Sequence, residues 1–209
     1  MRSREFWSRV PQLVLGLVGV GLGVAMMVDA EVGISPWDVF HQGLHRHTGM
    51  SMGTVSILVG LLVFLLWIPL GQRIGAGTAL NVLVIGLSIN AFLLVPFHPR
   101  DTLARYAACV LGVIVISVGG GVYIGAGLGT GPRDGLMTGL VARGYPLRTV
   151  RTLLELGVLV IGWVLGGNVG FGTVLFAFTV GPILHFVLHR VDRGVLAPQP
   201  VEVEPSFPT

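Results

Sequence analysis

Two short segments carry the residues best suited to binding chemistry. Residues 33–38 (GISPWD) and 129–134 (GTGPRD) share the pattern Gly-x-x-Pro-x-Asp. The pattern predicts a helix start, because proline is pre-organised for the first helical position and an acid in the first turn suits the helix dipole. Ser35 would be the N-cap in the first segment. A second interpretation stays open, in which broken backbone at membrane depth lines a cavity and the helix N-termini donate to a ligand.

Polar residues inside apolar stretches are the next candidates. Glu155 is costly in a membrane and has Arg151 one turn before it, so a structural ion pair and a proton or substrate site are both open. Asn81, Asn90 and His185 also lie at helical depth, where interhelical hydrogen bonding is favoured over a pathway role. The candidate substrate-binding residues are Ser35, Asp38, Asn90, Arg133, Asp134, Glu155 and His185.

A metal site is weighed and not favoured. His41 and His45 share a helix face, a spacing that can chelate zinc, and His47 and Asp38 are close in sequence. The equivalent part of the second segment has no histidine, so we expect a solvated outer helix instead. No phosphate loop, nucleophile triad or zinc-peptidase signature is found, so we expect no enzyme activity, no metal and no cofactor.

The elements that position these residues must lie in lipid. Hydrophobic residues make up 53% of the 209 residues and charged residues 11%, and the mean hydropathy is +0.83. A soluble domain carries roughly 25% charged residues, so this chain is predicted to be an integral membrane protein. All 13 basic residues are arginines scattered among apolar stretches, which argues against a nucleic-acid partner.

Six stretches are long and apolar enough to cross a bilayer: residues 11–28, 52–70, 78–96, 107–126, 149–165 and 172–188. Arginine counting places both termini in the cytoplasm, because arginines concentrate in the segments that this orientation puts inside. The predicted organisation is a cytoplasmic N-terminus at 1–10, a first transmembrane repeat at 11–97, an outer linker at 98–106, a second repeat at 107–190 and a disordered cytoplasmic tail at 191–209.

The two halves are copies of one unit. Residues 33–38 align with 129–134 at a shift of 96, and 75–78 (GAGT) align with 170–173 (GFGT) at a shift of 95. Each copy predicts three spanning helices and one short non-spanning helix, at 36–47 and 132–143. Three crossings per copy place the second copy upside down, the plan of many secondary transporters. Parallel repeats would require the polar short helices to cross, which their composition disfavours.

The paired Gly-x-x-Pro-x-Asp segments, together with 148–156 (RTVRTLLEL) and 166–173 (GGNVGFGT), resemble the YczE/YyaS/YitT group of bacterial integral membrane proteins, YczE in particular. The resemblance extends over nearly the whole chain to about residue 190. It implies a multi-span helical fold in a bacterial inner membrane, and it transfers no binding residue.

The favoured function is a small-molecule transporter or permease whose site lies where the two motif segments meet. The alternative is a membrane-embedded regulatory or assembly protein that binds partner helices through glycine-rich faces. A homodimer is predicted as plausible for so short a chain. The substrate is not encoded in any recognisable motif.

Overall fold

A computed structural model describes residues 3–72, 75–95 and 98–196, and within these ranges the chain is all-α. Residues 197–209 of the predicted tail lie outside the described residues. The eight helices are α1 (Ser3–Ala30), α2 (Pro36–Thr48), α3 (Met52–Leu70), α4 (Ala76–Leu93), α5 (Thr102–Gly125), α6 (Pro132–Val141), α7 (Leu147–Val164) and α8 (Phe171–Val191).

Four helices, α1, α3, α5 and α8, are long and apolar enough to cross a membrane. In α4 the apolar stretch Gly77–Leu93 is shorter, and α7 includes the charged residues Arg148, Arg151 and Glu155. The prediction of an all-helical chain with several helices able to cross a membrane is therefore confirmed. The count of six spans stays a prediction.

The two predicted short helices are present as α2 and α6. They contain 13 and 10 residues, or about 20 and 15 Å at the usual rise, too short to cross a bilayer core. Each begins at the proline of the repeated motif, and the Ser35 side chain accepts a hydrogen bond from the Asp38 backbone as the predicted N-cap. The α2 helix ends at Gly49, whose positive φ of 71° suits a glycine C-cap.

The equivalent helices α1 and α5 pack against each other at the centre and run antiparallel. A Cβ on Gly16 would lie 2.7 Å from the Gly119 carbonyl oxygen, and one on Gly23 would lie 2.6 Å from the Gly112 oxygen. Gly16 aligns with Gly112 and Gly23 with Gly119, so the two contacts are the same contact made twice. Glycine at these positions lets the two backbones approach closely.

Backbone hydrogen bonds connect the irregular segment before each short helix to a long helix of the other copy. The amide of Gly172, at the start of α8, donates to the Val32 carbonyl at 2.9 Å, and the aligned amide of Gly77, at the start of α4, donates to the aligned Leu128 carbonyl at 3.1 Å. Each short helix also packs against a long helix of the other copy: α2 packs on α7, and α6 packs on α3. The hydrogen bonds hold the irregular backbone before α2 and α6 in place.

One contact is not repeated. The α3 and α4 helices pack tightly, and a Cβ on Gly53 would lie 1.9 Å from the Gly86 oxygen. The aligned helices α7 and α8 do not pack along each other, and Gly181, which aligns with Gly86, has no neighbouring atom within 4 Å of a built Cβ. The second copy is therefore open between its last two helices.

Candidate functional site

A cavity of about 510 Å³ lies between the two copies, and both motif segments contribute to its wall. Much of the wall is apolar, including Val20, Val24, Val59 and Val63. The polar groups of the wall include Ser35, Asp38, Asn81, Tyr123, Arg133 and Asp134. Pockets of this size and mixed lining are typical of small-molecule sites.

The first motif segment forms a closed polar cluster. Asp38 is 4% exposed, and its carboxylate accepts a short hydrogen bond from the Ser35 hydroxyl. His41 Nδ1 lies 3.4 Å from the second carboxylate oxygen. Both carboxylate oxygens therefore have partners within the same short helix, which stabilises the buried group.

His41 corrects one sequence-based expectation. The α2 helix was predicted to be a solvated outer helix, but His41 is only 2% exposed and contacts Asp38. The helix packs between α3 and α7, which buries its first two turns and leaves the end that contains Arg46 exposed. Within the described ranges, no group of three or more metal-ligating side chains is placed to hold an ion.

The charged residues of the second motif segment form no ion pair. Arg133 lies over the Trp37 ring, with its guanidinium carbon 4.9 Å from the ring centroid, a cation–π contact. None of the ion pairs among the described residues includes Arg133 or Asp134. The two opposite charges are neighbours in sequence on the cavity wall.

The start of α6 is also uncapped by any side chain. Its N-cap residue, Gly131, has no hydroxyl where the first copy has Ser35. The Cβ position of Gly131 is 3.4 Å from the Tyr123 hydroxyl, 3.5 Å from Asn81 Oδ1 and 3.5 Å from Asp134 Oδ2. The phenol, the amide and the carboxylate therefore gather around the helix N-terminus.

Asn81 has an unsatisfied donor. The residue is 6% exposed, and its Nδ2 has no hydrogen-bond partner among the described residues. A buried amide donor without a partner costs about 1–3 kcal/mol, so its position on a cavity wall calls for a ligand or a water. The sequence analysis singled out Asn81 as a polar residue at helical depth but did not place it among the candidate substrate-binding residues, and it did not select Tyr123.

Asn90, the asparagine that the sequence did select, lies elsewhere. Its Oδ1 accepts from the Gly53 amide at 2.8 Å, and its Nδ2 donates to the Thr54 hydroxyl at 3.4 Å. Asn90 comes nine residues after Asn81, which is two and a half turns at 100° per residue, so the two amides face opposite sides of the helix. Asn90 joins α3 to α4, as the interhelical interpretation predicted.

Glu155 and His185 lie at the cavity edge near the gap between α7 and α8. Glu155 Oε1 is 3.0 Å from Arg151 Nε, so the ion pair that was one of the two open interpretations is present. The His185 ring is exposed and lies 4.2 Å, centroid to centroid, from the His189 ring. Of the seven candidates, all but Asn90 line the cavity.

Three relatives resemble the chain over most of its length. An uncharacterized protein of Haemophilus influenzae is 37% identical over 188 residues, which is 90% of this chain and 86% of the relative. The uncharacterized membrane protein YczE of Bacillus subtilis is 39% identical over 182 residues, 83% and 82% of the two chains. The uncharacterized protein YyaS of the same organism is 25% identical over 193 residues, 88% and 94%.

No solved structure matches the chain. A model described as a family of unknown function (DUF6198) matches residues 7–189, which includes all eight helices except the first residues of α1 and the last of α8. The resemblance to YczE drawn from the motif segments is thereby confirmed. The chain belongs to this family of unknown function, a group of YczE-like helical membrane proteins.

Proposed function

We propose that the protein is a small-molecule transporter of the bacterial cytoplasmic membrane, working by alternating access between two inverted repeats. The cavity between the copies supports this most directly, because both broken segments contribute polar residues to its wall. Secondary transporters place their substrate sites near the bilayer midplane at a repeat interface, where discontinuous helices begin. The proposal assigns no enzyme activity to the chain.

The packing of the equivalent helices favours inversion. Antiparallel packing of α1 against α5, with the same glycine contact made twice, is what a two-fold axis in the membrane plane requires. With both termini cytoplasmic, the loop after α2 lies outside and the loop after α6 lies inside. The arginine distribution supports this orientation.

The last two helices pack differently in the two copies, as expected for one conformational state of a transport cycle. Inverted repeats exchange conformations when a transporter changes the side to which its site opens. Tight packing of α3 on α4, with α7 apart from α8, describes one such state. The alternate state would close α7 on α8 and separate α3 from α4.

A sidedness experiment tests the inversion. Met50 and Tyr145 are exposed, aligned residues in the loops after the two short helices, so each accepts a cysteine with little structural cost. In a Cys109→Ala background, Met50→Cys should react with a membrane-impermeant thiol reagent in intact cells. Tyr145→Cys should react only after permeabilisation. Labelling of both from one side would contradict inversion.

A flux experiment tests transport itself. Proteoliposomes and protein-free liposomes are incubated with a bacterial metabolite extract, and their contents are compared by mass spectrometry. We expect at least one solute to enter only with the protein, and Asp134→Asn to reduce its entry at least tenfold. Glu5→Gln, a loss of an exposed acid at the start of α1, is the matched control.

The flux result also weighs the alternative. Absence of any protein-dependent solute, together with a membrane protein that co-purifies in stoichiometric amount, would favour a regulatory or assembly role. Full flux in Asp134→Asn would retain transport and move the site away from α6.

A further inference from the structure

Polar and charged groups converge at the start of α6. Among the described residues, Arg133 and Asp134 form no ion pair within 4 Å, and the Asn81 Nδ2 donor has no hydrogen-bond partner. All three line one cavity. In the first copy the aligned aspartate Asp38 has its partners within its own segment, so the site combines the motif of the second copy with Asn81 from α4 of the first.

We infer that this set binds the head of a zwitterionic, α-amino-acid-like solute with an apolar side chain, which names the substrate class of the proposed transport site and rests on that proposal. The ligand carboxylate contacts Arg133 and the Asn81 amide at the uncapped N-terminus of α6. The ligand ammonium contacts Asp134.

Charge balance selects a zwitterion over a simple ion. A lone carboxylate would meet Asp134 beside Arg133, and a lone ammonium would meet Arg133 beside Asp134. In each case the protein charge of the same sign repels the ligand, and that repulsion strengthens where the dielectric is low. A ligand with both charges pairs with each and leaves neither protein charge unpaired.

The uncapped helix strengthens the carboxylate side of the site. Backbone amides in the first turn of a helix have no intrahelical partner, and they carry a partial positive charge. Discontinuous helices in transporters direct such N-termini at anionic substrate groups. The Asn81 donor provides an independent reason for an acceptor at this place, because it is 6% exposed and unsatisfied.

The apolar wall determines the rest of the ligand. Val59, Val63 and Val82 from α3 and α4, with Ile85 and Ile116, line the same cavity. These side chains offer no polar group to a substituent, so burying a branched aliphatic chain there is favourable. An apolar side chain on the zwitterion therefore fits this wall.

The test compares three ligands that differ in one charge each. L-leucine has both charges, L-leucinamide lacks the carboxylate and 4-methylpentanoate lacks the ammonium. Binding to the purified full chain in lipid nanodiscs is measured by calorimetry. Leucine should bind at least tenfold more tightly than either analogue. Equal affinity for all three, or no leucine binding at millimolar concentration, would overturn the inference.

Variants then assign each charge. In Asp134→Asn, leucine should fall to the affinity of 4-methylpentanoate, while its advantage over leucinamide remains. In Arg133→Gln, leucine should fall to the affinity of leucinamide, while its advantage over 4-methylpentanoate remains. Asn81→Leu should weaken the binding of leucine and of 4-methylpentanoate more than the binding of leucinamide. Arg190→Gln, which also removes an arginine over an aromatic ring but outside the cavity, should leave all three affinities unchanged.

Folding is checked by monodispersity and thermal stability of each variant, so a loss of leucine binding in an intact variant is attributable to the site. Failure here is distinguishable from failure of the transport proposal. A solute found in the flux experiment that is not a zwitterion would overturn this inference and leave transport in place. Unchanged leucine binding in both Asp134→Asn and Arg133→Gln would also overturn it.

Discussion

The same six-residue motif is used twice in this molecule, with opposite outcomes. In the first copy Ser35 caps its helix and donates to Asp38, and His41 contacts the other carboxylate oxygen. In the second copy the aligned residues are Gly131 and Met137, and Asp134 is left without those partners. A duplicated segment can thus retain its backbone role in both copies while only one copy keeps free groups for a ligand.

The packing between the last two helices also differs between the copies. The first copy closes on itself through Gly53 and Gly86, whereas the second leaves Gly181 facing open space. The more closed copy is also the one with the satisfied aspartate. The comparison teaches that the motif of the first copy is satisfied within its own segment, whereas the motif of the second copy places Arg133 and Asp134 on the cavity wall without an ion-pair partner.

Replacing each of the two aspartates in turn by asparagine is a direct test of this difference between the copies. Asp38→Asn should lower the free energy of unfolding by about 2 kcal/mol, because hydrogen bonds to a buried charged group are worth about 1.5–3 kcal/mol. For a chain of this size that is a fall in Tm of about 4–8 °C. Asp134→Asn should cost less than about 1 kcal/mol.

The difference in Tm between the two variants is measured by thermal unfolding in the same detergent, with loss of monodispersity as the readout. Glu5→Gln is again the control for loss of an exposed acid. Equal destabilisation by Asp38→Asn and Asp134→Asn would contradict the division of roles between the copies.

A smaller difference is expected at the aligned glycines of α4 and α8. Gly86→Ala places a methyl group 2.6 Å from the Gly53 carbonyl oxygen, and overpacking of this kind costs about 1–3 kcal/mol. Gly181→Ala meets no atom within 4 Å, and alanine is the better helix former by up to about 1 kcal/mol.

Tm measurements on the two alanine variants test the open α7–α8 pair. A lower Tm for Gly86→Ala with an unchanged or higher Tm for Gly181→Ala is expected. Comparable losses in both would mean that α8 is as closely packed as α4.

The fold was largely predictable because its signals are local and occur twice. The apolar stretches, the prolines at the starts of α2 and α6, and the Ser35 cap all follow from composition, spacing and capping chemistry. The all-α class and the two short helices are confirmed. The burial of His41 was not predictable, because it depends on α2 packing between two other helices rather than on its own polar sequence.

The candidate site was predictable only in part. Repetition identified both motif segments, and six of the seven candidate residues line the cavity. The choice of Asn90 over Asn81 was made without knowing which face of α4 meets the other copy. A nine-residue separation shows that the two amides face apart, but only tertiary packing determines which one reaches the cavity.

Gly131→Ser gives the smallest expected change in stability and tests the comparison most directly, because it gives the second copy the cap of the first. A Cβ at this position meets its nearest atoms at 3.4–3.5 Å, so the side chain fits without a clash. Serine is better than glycine at an N-cap by only a few tenths of a kcal/mol, so Tm should rise by about 1 °C or stay constant.

Ligand binding should respond much more than stability in this variant. The new hydroxyl can donate to the Asp134 carboxylate, as Ser35 does to Asp38, and it can accept from the first-turn amide that the ligand would otherwise use. Leucine affinity should therefore fall several-fold. Gly131→Ala adds the same Cβ without the hydroxyl and should retain most of the affinity. If both variants bind leucine as the unmodified protein does, the open N-terminus of α6 does not contribute to binding, and the two copies of the motif are functionally equivalent.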